Sequence, residues 1–189
     1  MKKSIYAGMM IGLAGWLNLS AGGGILGSIL FSIGLYLVCL QGLNLYTGKA
    51  GSINLDFVHW KDSMKFLFCT ILIGNIIGTA IIAGLAKCTG IDASGIIEIR
   101  NNSTWWLGLV RGIGCGMLME FAVLGWREFK NPILIFLCVP AFILSGMYHC
   151  IADSFYYILT WDWSWNILLV YLMTIIGNFI GCNVRRIMS

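Results

Sequence analysis

Two stretches of six residues decide how this chain folds: Ile-Gly-Asn-Ile-Ile-Gly at residues 73–78 and Ile-Gly-Asn-Phe-Ile-Gly at residues 176–181. The offset between their asparagines is 178 − 75 = 103 residues, and the same offset places Tyr46-Thr47 on His149-Cys150. Glycines spaced four apart let helices approach closely, and an asparagine can hydrogen-bond across a helix interface. We therefore expect two related halves. In each half the glycines allow close packing of helices, and the asparagine supports the nearby broken helix through hydrogen bonds.

The composition is typical of a membrane protein. Of the 189 residues, 59% are hydrophobic and 11% are charged, and the mean hydropathy is +0.86. A membrane span takes about 20 apolar residues. Apolar runs predict six spans near residues 5–20, 25–44, 66–86, 105–125, 132–160 and 165–182, with a fragment at 53–59 that continues the second span. The second (25–59) and fifth (132–160) are too long for one straight crossing, so we expect broken helices there.

Three spans in each half is an odd number, so the second copy must enter the membrane the opposite way up. We expect a single transmembrane domain over residues 1–189, with inverted repeats at about 5–86 and 105–186, whose broken helices meet near the midplane. Connections predicted to face the cytoplasm hold Lys2, Lys3, Lys61, Lys65, Arg127, Lys130, Arg185 and Arg186, and those outside hold Lys87 and Arg100. This bias predicts two cytoplasmic termini, in the inner (plasma) membrane of a cell.

The first predicted break, residues 41–52, contains glycines, amides, a hydroxyl and Lys49. Irregular backbone at membrane depth persists only where it is buried in protein or lines a wet cavity. A helix that starts after such a break directs its N–H groups inward, which suits an anion. The simpler alternative is a helix that ends at a loop, but Lys49 in an apolar protein favours the cavity interpretation.

The second predicted break, residues 145–154, contains His149 and Asp153. A single histidine is more often structural than functional, but an ionisable side chain at membrane depth is expensive unless it serves transport or has a firm partner. His149 is therefore a candidate hydrogen-bond donor to a passing anion or, when charged, a transient counter-ion. Glu120 is the one carboxylate predicted well inside a span, and Lys49 is a candidate ion-pair partner for it.

With these motifs in view, the chain resembles the formate/nitrite transporter family over nearly its whole length. Residues 42–48 resemble the family's loop in the second helix, and residues 145–155 resemble its fifth-helix signature. The resemblance implies an all-α, aquaporin-like fold with broken second and fifth helices, and homopentamers with one pore in each protomer. It also implies formate, nitrite or hydrosulfide as the substrate.

The resemblance also assigns a substrate pathway by position, which comprises His149, Thr47, Asn178, Leu35, Phe142, Phe31 and Arg100. It implies that Thr47 is a loop hydroxyl near the central His149 and that Asn178 supports the histidine ring. It implies that Leu35 and Phe142, with Phe31, narrow the pore, and that Arg100 stands in a vestibule that attracts anions. The further candidates, which face the pore or support it, are Lys49, Glu120, Asp153 and Asn75.

The function expected from the sequence is a channel or transporter for small monovalent anions of weak acids in a lipid bilayer, with permeation coupled to protons through the central His149. The alternative is a neutral-solute channel for water or a small polyol, although the paired Asn-Pro-Ala loops of such channels are missing. A non-transporting structural subunit also remains open. No carboxylate pair, metal-spaced Cys–His set or nucleophile motif indicates an enzyme or a cofactor. Basic residues scattered over short connections argue against nucleic acid.

Overall fold

The structure is a computed structural model that describes residues 1–52 and 59–188. Within those ranges the chain is helical and contains no strand. The helices are α1 (Lys2–Ser20), α2 (Gly24–Leu40), α3 (Tyr46–Ala50), α4 (Trp60–Lys65), a π-helical segment (Phe66–Leu72), α5 (Ile73–Lys87), α6 (Ser94–Asn101), α7 (Trp105–Phe129), α8 (Ile133–Leu144), α9 (Cys150–Thr160) and α10 (Trp165–Met188). Apart from His59, the fragment predicted at 53–59 lies outside the described residues.

Three helices of the described chain are long and apolar enough to cross a membrane. They are Trp60–Lys87, in which α4, the π-helical segment and α5 run on for 28 residues, α7 with 25 residues and α10 with 24 residues. The shorter helices α2 and α8 are also apolar. A helix rises 1.5 Å per residue, so each of the three long helices exceeds the hydrocarbon thickness of about 30 Å.

Both predicted interruptions are present. Helix α2 ends at Leu40 and α3 begins at Tyr46, while α8 ends at Leu144 and α9 begins at Cys150. A glycine with a positive φ value follows the end of the helix at each site, namely Gly42 with φ 59° and Gly146 with φ 66°. A residue with a Cβ adopts this left-handed region only with strain, whereas glycine adopts it freely.

Asn75 holds the first interruption in place from α5. Its Oδ1 accepts a hydrogen bond from the backbone N–H of Tyr46 at 2.8 Å. Its Nδ2 donates to the backbone oxygens of Ser4 at 2.7 Å and Asn44 at 2.9 Å. One side chain therefore satisfies the backbone on both sides of the start of α3 and ties it to α1.

Asn178 makes the same three bonds at the second interruption. Its Oδ1 accepts from the N–H of Cys150 at 2.9 Å, and its Nδ2 donates to the oxygens of Gly112 at 2.9 Å and Tyr148 at 2.8 Å. The bonding pattern pairs Tyr46 with Cys150, an offset of 150 − 46 = 104 residues. The prediction that paired Tyr46-Thr47 with His149-Cys150 is therefore wrong by one residue.

The glycines of the repeated motif permit contact between helix backbones, as predicted. A Cβ added to Gly78 of α5 would collide with the backbone oxygen of Ile5 in α1. A Cβ added to Gly181 of α10 would collide with the backbone oxygen of Ile113 in α7. Accordingly, α1 packs along both α5 and α2 in the first half of the chain. In the second half, α7 packs along both α10 and α8. The two groups of helices meet where α2 contacts α8.

We expect Gly78→Ala to lower the thermal unfolding temperature of the detergent-solubilised protein, because the added methyl group displaces α1 from α5. Overpacking of this kind costs about 1–3 kcal/mol. The matched control is Gly84→Ala in the same helix, where an added Cβ meets nothing within 4 Å. That control should unfold at the wild-type temperature or above it, since alanine favours helix over glycine. Equal unfolding temperatures for the two variants would contradict this account of the helix interface.

Candidate functional site

His149 is buried at the second interruption, where it forms the N-cap of α9. Its side chain is 2% exposed. The backbone is extended there, with φ −113° and ψ 109°, and Nδ1 accepts a hydrogen bond from the N–H of Ala152 at 3.2 Å. A cap of this kind satisfies one of the N–H groups that a helix start leaves without a partner.

The other ring nitrogen joins the two interruptions. Nε2 of His149 lies 3.0 Å from Oγ1 of Thr47, in α3. Because the Ala152 N–H can only donate, Nδ1 is an acceptor, and a neutral ring then carries its proton on Nε2. The His149 Nε2–H therefore donates to Thr47. A doubly protonated ring would set a second donor against the Ala152 N–H, so this capping geometry belongs to the neutral ring.

Asn178 does not support the histidine ring directly, contrary to what the resemblance implied. Its three bonds go to backbone groups of Cys150, Tyr148 and Gly112. The ring is held instead by Thr47 and by the N–H of Ala152. Asn178 thus fixes the backbone that carries His149, because it bonds the residues on either side.

Three backbone N–H groups at the two helix starts are bonded to side chains of the protein. The N–H of Tyr46 donates to Asn75, that of Cys150 donates to Asn178, and that of Ala152 donates to His149. At the first break the Tyr46 N–H is therefore not available to an anion, in contrast to the expectation for this one group. Helix α3 is also only five residues long.

Two phenyl rings adjoin the histidine. The ring of Phe142 stacks on that of His149, with centroids 5.7 Å apart and an interplanar angle of 25°. The ring of Phe31 meets Phe142 edge-on at 6.0 Å. Leu35, one turn further along α2, is 1% exposed. The three apolar residues assigned to the pathway are therefore all buried, and both phenylalanines lie close to His149.

Two cavities lie at different levels along α2. The first, of about 190 Å³, is lined by His149, Phe31 and Phe142 among others. The second, of about 210 Å³, is lined by Val38 of α2. Phe31 and Val38 are seven residues apart, or about 10 Å along the helix axis. Leu35 lies between them on the same buried face.

The second cavity is basic. Lys49, Arg127 and Lys130 line it, and no aspartate or glutamate is among its described lining residues. Lys49 therefore lies at a cavity, as the pattern indicated. The sequence assigned Arg127 and Lys130 only to a connection between spans, and it gave no signal that they share a cavity with Lys49.

Arg100 is not a free vestibule cation. Its Nε and Nη2 both donate to Oδ1 of Asp153, at 3.2 and 3.0 Å. The guanidinium carbon also lies 3.5 Å from the ring centroid of Tyr148. Arg100 belongs to α6, in a region that the sequence analysis treated as an outer connection. Asp153, which is itself a candidate site residue, therefore compensates the positive charge of Arg100 that was expected in the vestibule.

Glu120 pairs with a residue other than the one expected. Its side chain is 4% exposed, and Oε1 lies 3.7 Å from Nη2 of Arg185. Within residues 1–52 and 59–188, that contact replaces the predicted ion pair with Lys49. Arg185 is a basic residue near the end of α10, and a long arginine side chain can carry its charge well away from its own backbone.

Tyr148 is a site residue that the sequence analysis did not select. Its hydroxyl accepts from Nη1 of Arg111 at 2.7 Å and also bonds the hydroxyl of Ser103. Its ring meanwhile packs against Arg100. The available signal was its position beside His149, since a tyrosine next to a functional side chain in an apolar chain needs a hydrogen-bond partner.

Comparison with known proteins identifies the class. The model of the formate/nitrite transporter family matches residues 1–187, and the chain belongs to that family. The uncharacterized transporter YrhG of Bacillus subtilis (strain 168) is 27% identical over 186 residues, which cover 88% of this chain and 69% of YrhG. Family membership and three membrane-capable helices make this chain an integral membrane protein. A transporter family also fits the expectation that the chain is not an enzyme.

Two solved structures share the fold. A pentameric formate channel with formate bound superposes with a TM-score of 0.84 at 21% identity, over 98% of this chain and 92% of that one. An FNT family ion channel superposes with a TM-score of 0.80 at 23% identity, over 97% of this chain and 85% of that one. The helical fold of this protein is therefore that of known channels.

Proposed function

We propose that this protein is a channel for small monovalent anions of weak acids, with formate, nitrite and hydrosulfide as the candidate substrates. The observation that carries the proposal is the buried His149–Thr47 pair, which joins the two helix interruptions. One cavity contains His149, and a basic cavity lies further along α2. Membership of the formate/nitrite transporter family and the fold of a formate channel support the substrate class.

The proposed pathway connects the two cavities past Leu35. The basic cavity of Lys49, Arg127 and Lys130 concentrates anions, because like charges in a cleft raise the local concentration of their counter-ions. A bare anion in an apolar passage loses its hydration at a high cost in free energy. We propose that the weak acid passes Leu35 and the phenylalanines as a neutral molecule, with a proton from bulk water or from a His149 ring that has first taken up a second proton.

We propose the following architecture for the intact channel. The chain forms one domain over residues 1–189, with six membrane crossings and two inverted repeats at about 5–86 and 105–186. The identical bonding of Asn75 and Asn178 supports the duplication. The fold of a pentameric formate channel supports a homopentamer. The distribution of lysine and arginine supports two cytoplasmic termini, in the inner (plasma) membrane.

Purified protein in liposomes should carry at least one of formate, nitrite and hydrosulfide faster than protein-free liposomes, at some value between about pH 4 and 8. The physical reason is that the protein replaces the apolar barrier with a basic cavity and a fixed histidine. Osmotic swelling in water and glycerol, measured on the same liposomes, separates this function from a neutral-solute channel. Swelling in glycerol without flux of the three acids would overturn the proposal.

A further inference from the structure

The cavity beside His149 contains a buried ion pair that is bonded through one carboxylate oxygen. Arg100 contributes Nε and Nη2, and both donate to Oδ1 of Asp153. The side chains of Arg100 and Asp153 are 11% and 1% exposed. The pair carries little net charge, so an anion that enters this cavity meets a cation already occupied by a carboxylate.

Within residues 1–52 and 59–188, the second oxygen of Asp153 has no hydrogen-bond partner. Oδ2 is buried and receives no hydrogen bond. Asp153 and Arg100 both line the 190 Å³ cavity that contains His149. A buried carboxylate oxygen without a donor is unfavourable, and water or a bound molecule that offers an O–H or N–H group removes that penalty. On Arg100, Nη1 is left unused by the ion pair and remains a donor.

The ion pair offers one donor, Nη1 of Arg100, and one acceptor, Oδ2 of Asp153. This combination matches an undissociated acid better than it matches the anion. Formic acid and nitrous acid each carry one O–H donor and one doubly bonded oxygen acceptor. A water molecule takes about 30 Å³ of liquid volume, so a 190 Å³ cavity has room for either acid. The anions lack the proton that Oδ2 needs, and they are repelled by Asp153.

We propose that Asp153 and Arg100 form a subsite for the undissociated form of the weak acid. On binding, the Asp153 carboxylate turns so that Oδ2 reaches the cavity and accepts the acid O–H, and the doubly bonded oxygen of the acid accepts from Nη1 of Arg100. Asp153 is thereby a specificity-determining residue that favours neutral acid over anion at this cavity. This inference rests on the proposed function, because it names the form of the substrate that the same pathway binds.

The surroundings of Asp153 leave Arg100 as the group that compensates its charge. The titratable groups that interact with Asp153 are Arg100 of α6, Cys115 of α7, Cys150, Tyr156 and Tyr157 of α9, and Tyr171 of α10. Of these, Arg100 is the cation in hydrogen-bond contact with the carboxylate. His149 lies one helical turn before Asp153, with Nδ1 occupied by the Ala152 N–H.

The test is formate flux into proteoliposomes at fixed total formate and stepped external pH, after subtraction of flux into protein-free liposomes. Wild-type flux should fall about tenfold per pH unit, in step with undissociated acid. Asp153→Asn leaves Arg100 as an uncompensated cation in the cavity, so nitrate, which is an anion at every pH used, should become an inhibitor of formate flux. The matched control is Asp162→Asn, an exposed aspartate outside the cavity, which should stay insensitive to nitrate like the wild type.

A second measurement uses the wild-type protein alone. Formamide has the shape of formic acid, with an N–H donor and an oxygen acceptor, but it does not ionise, so it should compete with formate. Wild-type flux would leave the proposed function standing, and the subsite would be overturned if nitrate failed to inhibit Asp153→Asn or if formamide failed to compete with formate in the wild type. Absence of wild-type flux for formate, nitrite and hydrosulfide would overturn the proposed function itself.

Discussion

Asn178→Leu should strongly destabilise the protein, and it should abolish flux. The substitution leaves three buried backbone groups without partners, namely the N–H of Cys150 and the oxygens of Gly112 and Tyr148. Each unsatisfied group costs about 1–3 kcal/mol. Their sum is a large part of the roughly 5–15 kcal/mol that separates a folded domain from its unfolded chain. Yield after purification and the thermal unfolding temperature in detergent measure the loss.

Two matched variants test whether the amide itself is required. Asn75→Leu should be about as damaging, because Asn75 makes the same set of bonds at the other interruption. Asn102→Leu makes the same chemical change at an exposed position and should leave the unfolding temperature unchanged. Asn178→Asp keeps an acceptor for Cys150 but sets a carboxylate against two carbonyl oxygens. A wild-type unfolding temperature for Asn178→Asp would show that the two donated bonds are dispensable.

The helix interruptions could be predicted because polar residues and glycines stand out in an apolar chain. Thr47 and His149 were assigned to the same place by resemblance, and their side chains do meet. The identity of the repeated motif gave an offset of 103 residues, but the bonding at the interruptions follows an offset of 104 residues. The shift of one residue is marked in the sequence, because Gly42 and Gly146 are 146 − 42 = 104 residues apart and both have positive φ values.

The ion pairs could not be predicted. Arg100 and Asp153 are 53 residues apart and meet only because α6 forms and packs against α9. Residues 94–101 are too polar to read as a span, so the sequence analysis placed this helix in a loop. Glu120 was matched with Lys49 as a candidate partner for an ion pair within the helix bundle. Its partner Arg185 was assigned to the membrane surface, since its reach into the protein depends on side-chain conformation.

We expect His149→Phe to reduce flux about tenfold or more and to change the pH dependence of what remains. The phenyl ring keeps the stacking position against Phe142 but removes both ring nitrogens. The Ala152 N–H then loses its cap, and the Thr47 hydroxyl loses its donor. The proposed pathway passes this ring, so the variant also loses one hydrogen bond to the permeating molecule; a loss of about 1–3 kcal/mol raises the barrier, and 1.36 kcal/mol corresponds to tenfold in rate. Proteoliposome flux over stepped pH measures both effects.

His149→Asn separates the structural role of the histidine from its role toward the substrate. Asparagine is a good N-cap residue, so it restores an acceptor for the Ala152 N–H, but it is too short to replace the contact with Thr47. If His149→Asn recovers the unfolding temperature of wild type while flux stays low, the ring acts on the substrate or its proton. If His149→Phe keeps both the wild-type rate and the wild-type pH profile, histidine has no part in permeation. The pathway would then depend on the two cavities and on the Arg100–Asp153 pair alone.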